Sequence, residues 1–397
     1  MSFCRKYFPF LLIIFLLAVF SCQHQQSQPV SEGVNIPTDQ PAGHSSYQAA
    51  IAQFEATIAS DVAEDGTGSI SAAVVWGNDI VWSRGFGWAD IGRNIPADEN
   101  TIYRTGSISK SFTAVLMMQV IEKEFFQLDD SVDDYFPAIG DFKEKPEGAE
   151  PITFRQLASH TAGIIREPRL EGAASGPIEE WEERVLASIP HTYYQSLPGE
   201  RYSYSNIGFG ILGLATSRIA DEPFMDLVKT QIFDPLKMES SFFIIPAGLY
   251  ENVSMGYSRR RDGSIDGESP AKEHSGRGYK VPNGGIYSTV LDLSKFVSAM
   301  TGSAPVNIFS EETRLEILKR QTPEGGGGYG LGFSISTDDD GFTTIGHGGS
   351  VAGYNAHMVF DPVSKLGVTL LRNYSGGSTN LSRAARGLLK KLVEAGK

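Results

Sequence analysis

Residues that favour β-strands are concentrated at the two ends of this chain, and the long stretch between them reads as helices and loops. Near the N-terminal end, Ser69–Trp76 and Asp79–Phe86 are rich in β-branched and aromatic side chains. Only Gly77-Asn78 separates them, a two-residue hairpin signal. Near the C-terminal end, Tyr329–Thr337, Phe342–Gly346, Tyr354–Phe360 and Leu366–Arg372 are short strand-like runs with short turns between them. Consecutive strands joined that way form an antiparallel sheet, because parallel neighbours need long crossovers. Tyr47 to Ala63 sets Ile51, Phe54, Ile58 and Val62 at helical spacing. A last helix is predicted from Leu381 to Glu394, with Asn380 as its cap. Helices at both ends of the sequence can pack on a face of the sheet. The region from about 110 to 280, punctuated by Pro and Gly, is the inserted, mainly helical part. The predicted class is therefore α+β of the sandwich type, with no internal repeat. Trp76, Trp82 and Trp88 lie in or beside the hairpin and are expected in the core.

The first residues carry a different signal. Arg5 and Lys6 precede an uninterrupted apolar run, Phe10 to Phe20, that is shorter than the ~20 residues a spanning helix needs. Val19-Phe20-Ser21-Cys22 follows, so residues 1–21 are expected to be a signal peptide of lipoprotein type, with Cys22 lipidated. Residues 22–46, rich in Gln, Ser and Pro, are too poor in large apolar side chains to fold and are expected to be a flexible tether. The expected location is a bacterial cell envelope, at the membrane through Cys22. Cys4 lies in the removed segment, and the chain has two cysteines in all. No intramolecular disulfide remains possible, so a large core has to hold the domain. The net charge of −13 excludes nucleic acid as a partner, since no basic stretch is present to neutralise phosphates.

The chemistry starts at Ser107-Ile108-Ser109-Lys110. If a helix begins there, Ser107 Oγ and the Lys110 amine share a face one turn apart. A serine hydroxyl is a weak nucleophile until a base takes its proton, and a lysine serves as that base only when burial or nearby positive charge lowers its pKa. The apolar residues behind it (Phe112, Val115, Leu116, Val120) are expected to supply the burial. Spacing alone is weak evidence, because one or two chance S-x-x-K matches are roughly what ~400 residues give. Ser269-Pro270-Ala271-Lys272 is such a second copy, and its polar surroundings predict a loop.

Two further clusters corroborate the first copy. Tyr204-Ser205-Asn206 lies before an apolar helix, so a turn there would present a phenol able to relay protons and an amide able to bond a substrate. Tyr250-Glu251-Asn252 fits the same spacing without that context. Gly346-His347-Gly348-Gly349-Ser350 is expected directly after a strand, where glycines admit a ligand and a strand-edge N–H can cradle an oxyanion.

Other matches read as structure. Gly208-Phe209-Gly210-Ile211-Leu212-Gly213 fits a dinucleotide fingerprint but no strand precedes it, so its glycines are expected to let a helix pack closely. Gly348-Gly349-Ser350-Val351-Ala352 falls short of a nucleophile elbow, and Ser109-Lys110-Ser111 lacks the glycines of a phosphate loop. His160 has no ligand-spaced partner and is expected to hydrogen-bond structurally. Gly325 to Gly328 is expected to be a flexible turn.

Taken in order, S-x-x-K, Y-x-N and a triplet in the place of K-T-G resemble the serine β-lactamase and penicillin-binding-protein superfamily, closest to its class C β-lactamase and D,D-peptidase/esterase branch. Phe154–Gly163, Gly284–Ser288 and His347–Tyr354 look like that branch too. The resemblance implies a β-lactamase/transpeptidase-like fold over 47–397, a serine hydrolase and no cofactor or metal. It makes Ser107 the acylated nucleophile, Lys110 the adjacent base and Tyr204 a second proton shuttle. Asn206 becomes a polar contact for substrate and Lys110, and His347, Gly348 and Gly349 fill the triplet. The oxyanion hole it implies consists of the backbone N–H groups of Ser107 and Ser350. His347 and Gly348 replace a fixed charge and a hydroxyl, which favours ester or peptide substrates over penicillins. A true β-lactamase or D,D-carboxypeptidase, and a non-catalytic binding lipoprotein, are the alternatives. The sequence sets no oligomeric state.

Overall fold

A computed structural model describes residues 28–33, 44–325 and 327–396. The expected signal peptide, Cys22 and Gly326 lie outside them. The first helix, α1 (His44–Asp65), leads into the hairpin of β1 (Ser69–Trp76) and β2 (Asp79–Asp90), followed by the short β3 (Ile95–Pro96). The predicted two-residue turn at Gly77-Asn78 is present, with Trp76 opposite Asp79.

The helical region contains α2 (Ser109–Glu122), α3 (Phe154–Ala158), α4 (Asn206–Ala220), α5 (Val281–Gly284) and α6 (Val290–Met300). It runs past the expected end at 280, to a helix at Glu311–Leu318. The chain then returns to the sheet through β4 (Gly328–Tyr329), β5 (Ser334–Thr337), β6 (Thr343–Val351), β7 (Tyr354–Asp361) and β8 (Leu366–Arg372), and ends in α7 (Leu381–Ala395). Asn380 caps α7 as expected, its side-chain oxygen accepting from Arg383 N–H at 3.0 Å.

The sheet has eight antiparallel strands in the order β3-β2-β1-β8-β7-β6-β5-β4. β1 pairs along its length with β8, from Ile70 opposite Arg372 to Trp76 opposite Leu366, so both sequence ends build one sheet. Both faces are covered. Ile70, Ala72 and Val74 pack with α1 and α7 in one core, while Ala73 and Val75 join the larger core under the helical region. That alternation is the period of two that a strand imposes.

Three expectations are corrected here. Residues 28–33, read as part of the tether, lie along the free edge of β2: Ser31 N–H donates to Gly85 O at 2.8 Å and Gly87 N–H to Pro29 O at 2.7 Å. Backbone pairing needs no apolar side chains, so composition did not reveal it. Trp82 is buried, but Trp76 sits at the end of its strand and is exposed, and Trp88 is only half-buried. Within 329–337 the run breaks into two strands at Gly330–Phe333, where Leu331 N–H pairs with Ile317 O at 2.9 Å.

The helix carrying the serine motif is the axis of the larger core. From Ser109 to Val120 every residue of α2 is buried, polar ones included. A helix apolar nearly all round is one enclosed on all sides. Phe112 stacks on Phe296 of α6 with centroids 3.9 Å apart and meets Phe233 edge-on at 5.7 Å. Phe112→Ala is expected to destabilise the protein by about 3–5 kcal/mol, read as a lower urea midpoint at unchanged m-value.

Candidate active site

Ser107 lies in a 3₁₀ turn, Gly106–Ile108, that runs directly into α2. The helical spacing therefore holds, and Lys110 Nζ donates to Ser107 Oγ at 3.1 Å and to the Asn283 carbonyl at 3.0 Å. Ser107 is half-exposed, whereas Lys110 is fully buried. The burial comes from a different source than expected. The rings over the amine are Tyr204, at 4.9 Å, and Phe209, at 5.8 Å, both from the α4 region and not from α2 itself. Burial, and after it the positive charges of Arg277, Arg166 and Lys280, holds the Lys110 pKa well below its ordinary value.

Burial raises the Tyr204 pKa above that of a free phenol, and the nearby Ser107 side chain opposes that shift. Ser107 thus has two proton-carrying neighbours. Of the two, the lowered lysine is the better suited to accept a proton, and the raised phenol to give one.

The Asn206 side chain bonds Glu167, and the hydrogen bonds of Lys110 go to Ser107 and Asn283 instead of the contact the resemblance implied. Asn206 Nδ2 donates to Glu167 Oε1 at 2.6 Å, and its carbonyl accepts from Asn283 Nδ2 at 2.8 Å. Glu167 is also bonded by Tyr279 and paired with Lys280 Nζ at 3.1 Å, so the asparagine amide belongs to an ionic cluster beside the lysine.

The triplet lies within β6 and not after a strand. Its pairing with β7 is continuous from Ile345 opposite Phe360 to Val351 opposite Tyr354. The turn at Ala352-Gly353 closes on that last pair, so alternate residues of β6 turn their N–H groups away from β7. Ser350 is one of them. β5 pairs only with Thr343–Gly346, which leaves this edge of β6 open. Gly349 lets the strand press on the serine turn: a Cβ there would stand 1.9 Å from Thr105 O and 3.2 Å from Ser107 N. The two expected oxyanion donors, Ser107 N–H and Ser350 N–H, are thereby brought to adjacent elements.

His347 is buried and neutral, its pKa pushed down to about 3 chiefly by burial. Its Nδ1 lies 2.6 Å from Gly348 O, which can only accept, so Nδ1 carries the proton and Nε2 accepts from Tyr329 OH at 2.8 Å. The triplet thus supplies no cation. Arg166 and Arg372 do line the cleft of about 670 Å³ that also holds Ser107, Tyr204, His347 and Ser350.

The rejected matches separate by burial. Ser269–Lys272 is a short helix, Glu268–Lys272, and not a loop, but both its serine and its lysine are exposed. Tyr250 is exposed as well. Gly213 of the fingerprint match packs α4 on α5, where a Cβ would stand 2.5 Å from the Pro282 side chain. Sequence reasoning missed Asn283, Arg166, Glu167, Arg277 and Tyr329. Asn283 acts through its carbonyl, which no side-chain pattern reveals, although the adjoining Gly284–Ser288 stretch marked the neighbourhood.

With this geometry in hand, the comparisons with known proteins agree. A family model described as Beta-lactamase matches residues 54–391. The chain belongs to that family. It is 28% identical to Beta-lactamase-like protein 4 of Dictyostelium discoideum, over 98% of this chain and 71% of the relative. It is 24% identical to the D-alanyl-D-alanine-carboxypeptidase/endopeptidase AmpH of Escherichia coli K12, over 80% of this chain and 84% of the relative. A solved octameric penicillin-binding protein homologue from Pyrococcus abyssi superposes with a TM-score of 0.72 at 28% identity, covering 87% of this chain and 77% of that one. The fold is the β-lactamase/transpeptidase-like α+β fold, and the protein is a β-lactamase-related hydrolase of the serine β-lactamase and penicillin-binding-protein superfamily.

The electrostatics give a directional test. Arg277 is the foremost of the charges that lower Lys110, and a cation nearby disfavours the ammonium form. Removing it in Arg277→Gln raises the Lys110 pKa. The acid limb of the kcat/KM–pH profile is expected to move to higher pH, while the alkaline limb stays above pH 10 (roughly the free-phenol value).

Proposed function

We propose that this protein is a serine acyl hydrolase in which Ser107 is the nucleophile, Lys110 the base and Tyr204 a proton donor. The observation that carries this reading is the 3.1 Å contact between a half-exposed serine and a fully buried lysine at the floor of an open cleft. Ser107 Oγ attacks the carbonyl carbon of an ester or amide, and its proton passes to the neutral Lys110 amine. The carbonyl oxygen becomes an oxyanion between the N–H groups of Ser107 and Ser350. Collapse expels the alcohol or amine, which takes a proton from the Tyr204 phenol, and the Lys110 proton restores the phenol. Water then attacks the acyl-enzyme carbonyl and gives a proton to Lys110, which passes it to the departing Ser107 Oγ as the acid is released.

Small-molecule or peptide esters and amides suit the cleft because the neutral His347 and the bare Gly348 make no demand for a carboxylate at the triplet. A second reading, a true β-lactamase or D,D-carboxypeptidase, is supported by the names of the Escherichia coli relatives. Export as a lipoprotein anchored through Cys22 is part of the proposal and rests on residues 1–22 alone.

Short p-nitrophenyl esters, a fluorescent penicillin and a fluorophosphonate discriminate these readings. The expected outcome is ester hydrolysis and fluorophosphonate labelling by the wild type, both lost in Ser107→Ala by at least about 10³-fold in kcat. Penicillin labelling with slow ester turnover would favour the second reading. A Ser107 that resists the fluorophosphonate would return the chain to a binding role.

A further inference from the structure

His160 follows the short helix α3 and its Ser159 cap in the left-handed backbone conformation, at φ 62°. That position is usually glycine, because a Cβ there costs about 1 kcal/mol. The side chain carries a second penalty. The Ser205 backbone N–H can only donate, and it lies 3.1 Å from His160 Nδ1, so Nδ1 is unprotonated. Burial keeps the ring neutral, which puts the proton on Nε2. Nε2 is buried and has no hydrogen-bond partner among the described residues. A buried unmatched donor costs about 1–3 kcal/mol.

Two penalties at one residue are tolerated where the residue does something a glycine cannot. His160 grips the chain on both sides of Tyr204. Its carbonyl accepts from Ser203 N–H at 2.7 Å and its Nδ1 accepts from Ser205 N–H, while its ring packs on the Tyr204 ring at 4.1 Å. Phe209 and Tyr329, at 4.9 Å and 4.8 Å, hold the imidazole in place. We propose that His160 is the positioning residue for Tyr204, fixing the phenol against Ser107 through the backbone N–H groups of the residues on either side, Ser203 and Ser205. This rests on the reading of Tyr204 as a proton donor.

The test uses the full protein, a p-nitrophenyl ester and a urea midpoint for each variant. His160→Gly removes the ring and relieves the backbone strain. Its kcat is expected to fall roughly 10- to 100-fold, with KM within about threefold, in protein that the urea midpoint shows to be folded under the assay conditions. His160→Asn tolerates the left-handed backbone and sets an amide oxygen near the place of Nδ1, so it is expected to recover most of the loss. In a Tyr204→Phe background, His160→Gly is expected to lower kcat by less than about twofold. Should the glycine variant not fold, His160→Leu carries the same cycle. An unchanged kcat, an asparagine variant as slow as glycine, or an equal loss in both Tyr204 backgrounds overturns the proposal. Ser107→Ala runs alongside: activity that survives it refutes the serine reading itself, whereas its loss with an unaffected His160 variant refutes only the role of His160.

Discussion

Lys110 is fully buried, and the cost of holding an ammonium in an enclosed interior organises the site around it. The surroundings could have neutralised it with a carboxylate. Instead the nearest hydrogen-bonding groups are the Ser107 hydroxyl and the Asn283 carbonyl. The carboxylate that is close, Glu167, is occupied by Asn206, Tyr279 and Lys280. Arg277 and Arg166 push in the same direction as burial. Burial and the two arginines lower the stability of a charged lysine, against the opposing pull of Glu167, and favour a free amine beside the serine.

The fold supplies what such a lysine needs, an enclosed interior next to an open edge. Ser107 stands where the chain leaves the sheet for the helical region, at the head of a helix buried on all sides. Tyr204 comes from the middle of that region, and Ser350 from the unpaired edge of β6. Their meeting depends on β1 pairing with β8, which closes the sequence ends into one sheet. It depends equally on Gly349, without which β6 could not rest on the serine turn.

Much of this was legible in the sequence, and the exceptions have physical causes. The hairpin and the capped last helix came out where the periodicity and Asn380 put them, because alternation and capping are local. The order of the three motifs identified the superfamily, and the Ser107–Lys110 contact followed from helix geometry. The triplet was placed after its strand because Gly346, Gly348 and Gly349 are poor strand formers; pairing with β7 overrides that. The rotation of the Asn206 amide towards Glu167 depends on a residue 39 positions away, which spacing does not encode. Burial was read as a property of α2, but for Lys110 it is a property of its neighbours across the fold. It is also what separates Lys110 from the exposed Lys272, a difference no tetrapeptide pattern contains.

The central claim, a neutral Lys110 at the working pH, is open to direct measurement. Lysine enriched at the ε-carbon and followed by NMR through a pH titration reports the charge of each amine. The account predicts one resonance, absent from Lys110→Met, that already has the neutral-amine shift at pH 7. If the Lys110 resonance keeps its ammonium shift until it titrates with the rest, the lysine is charged, and the proposed base is not there.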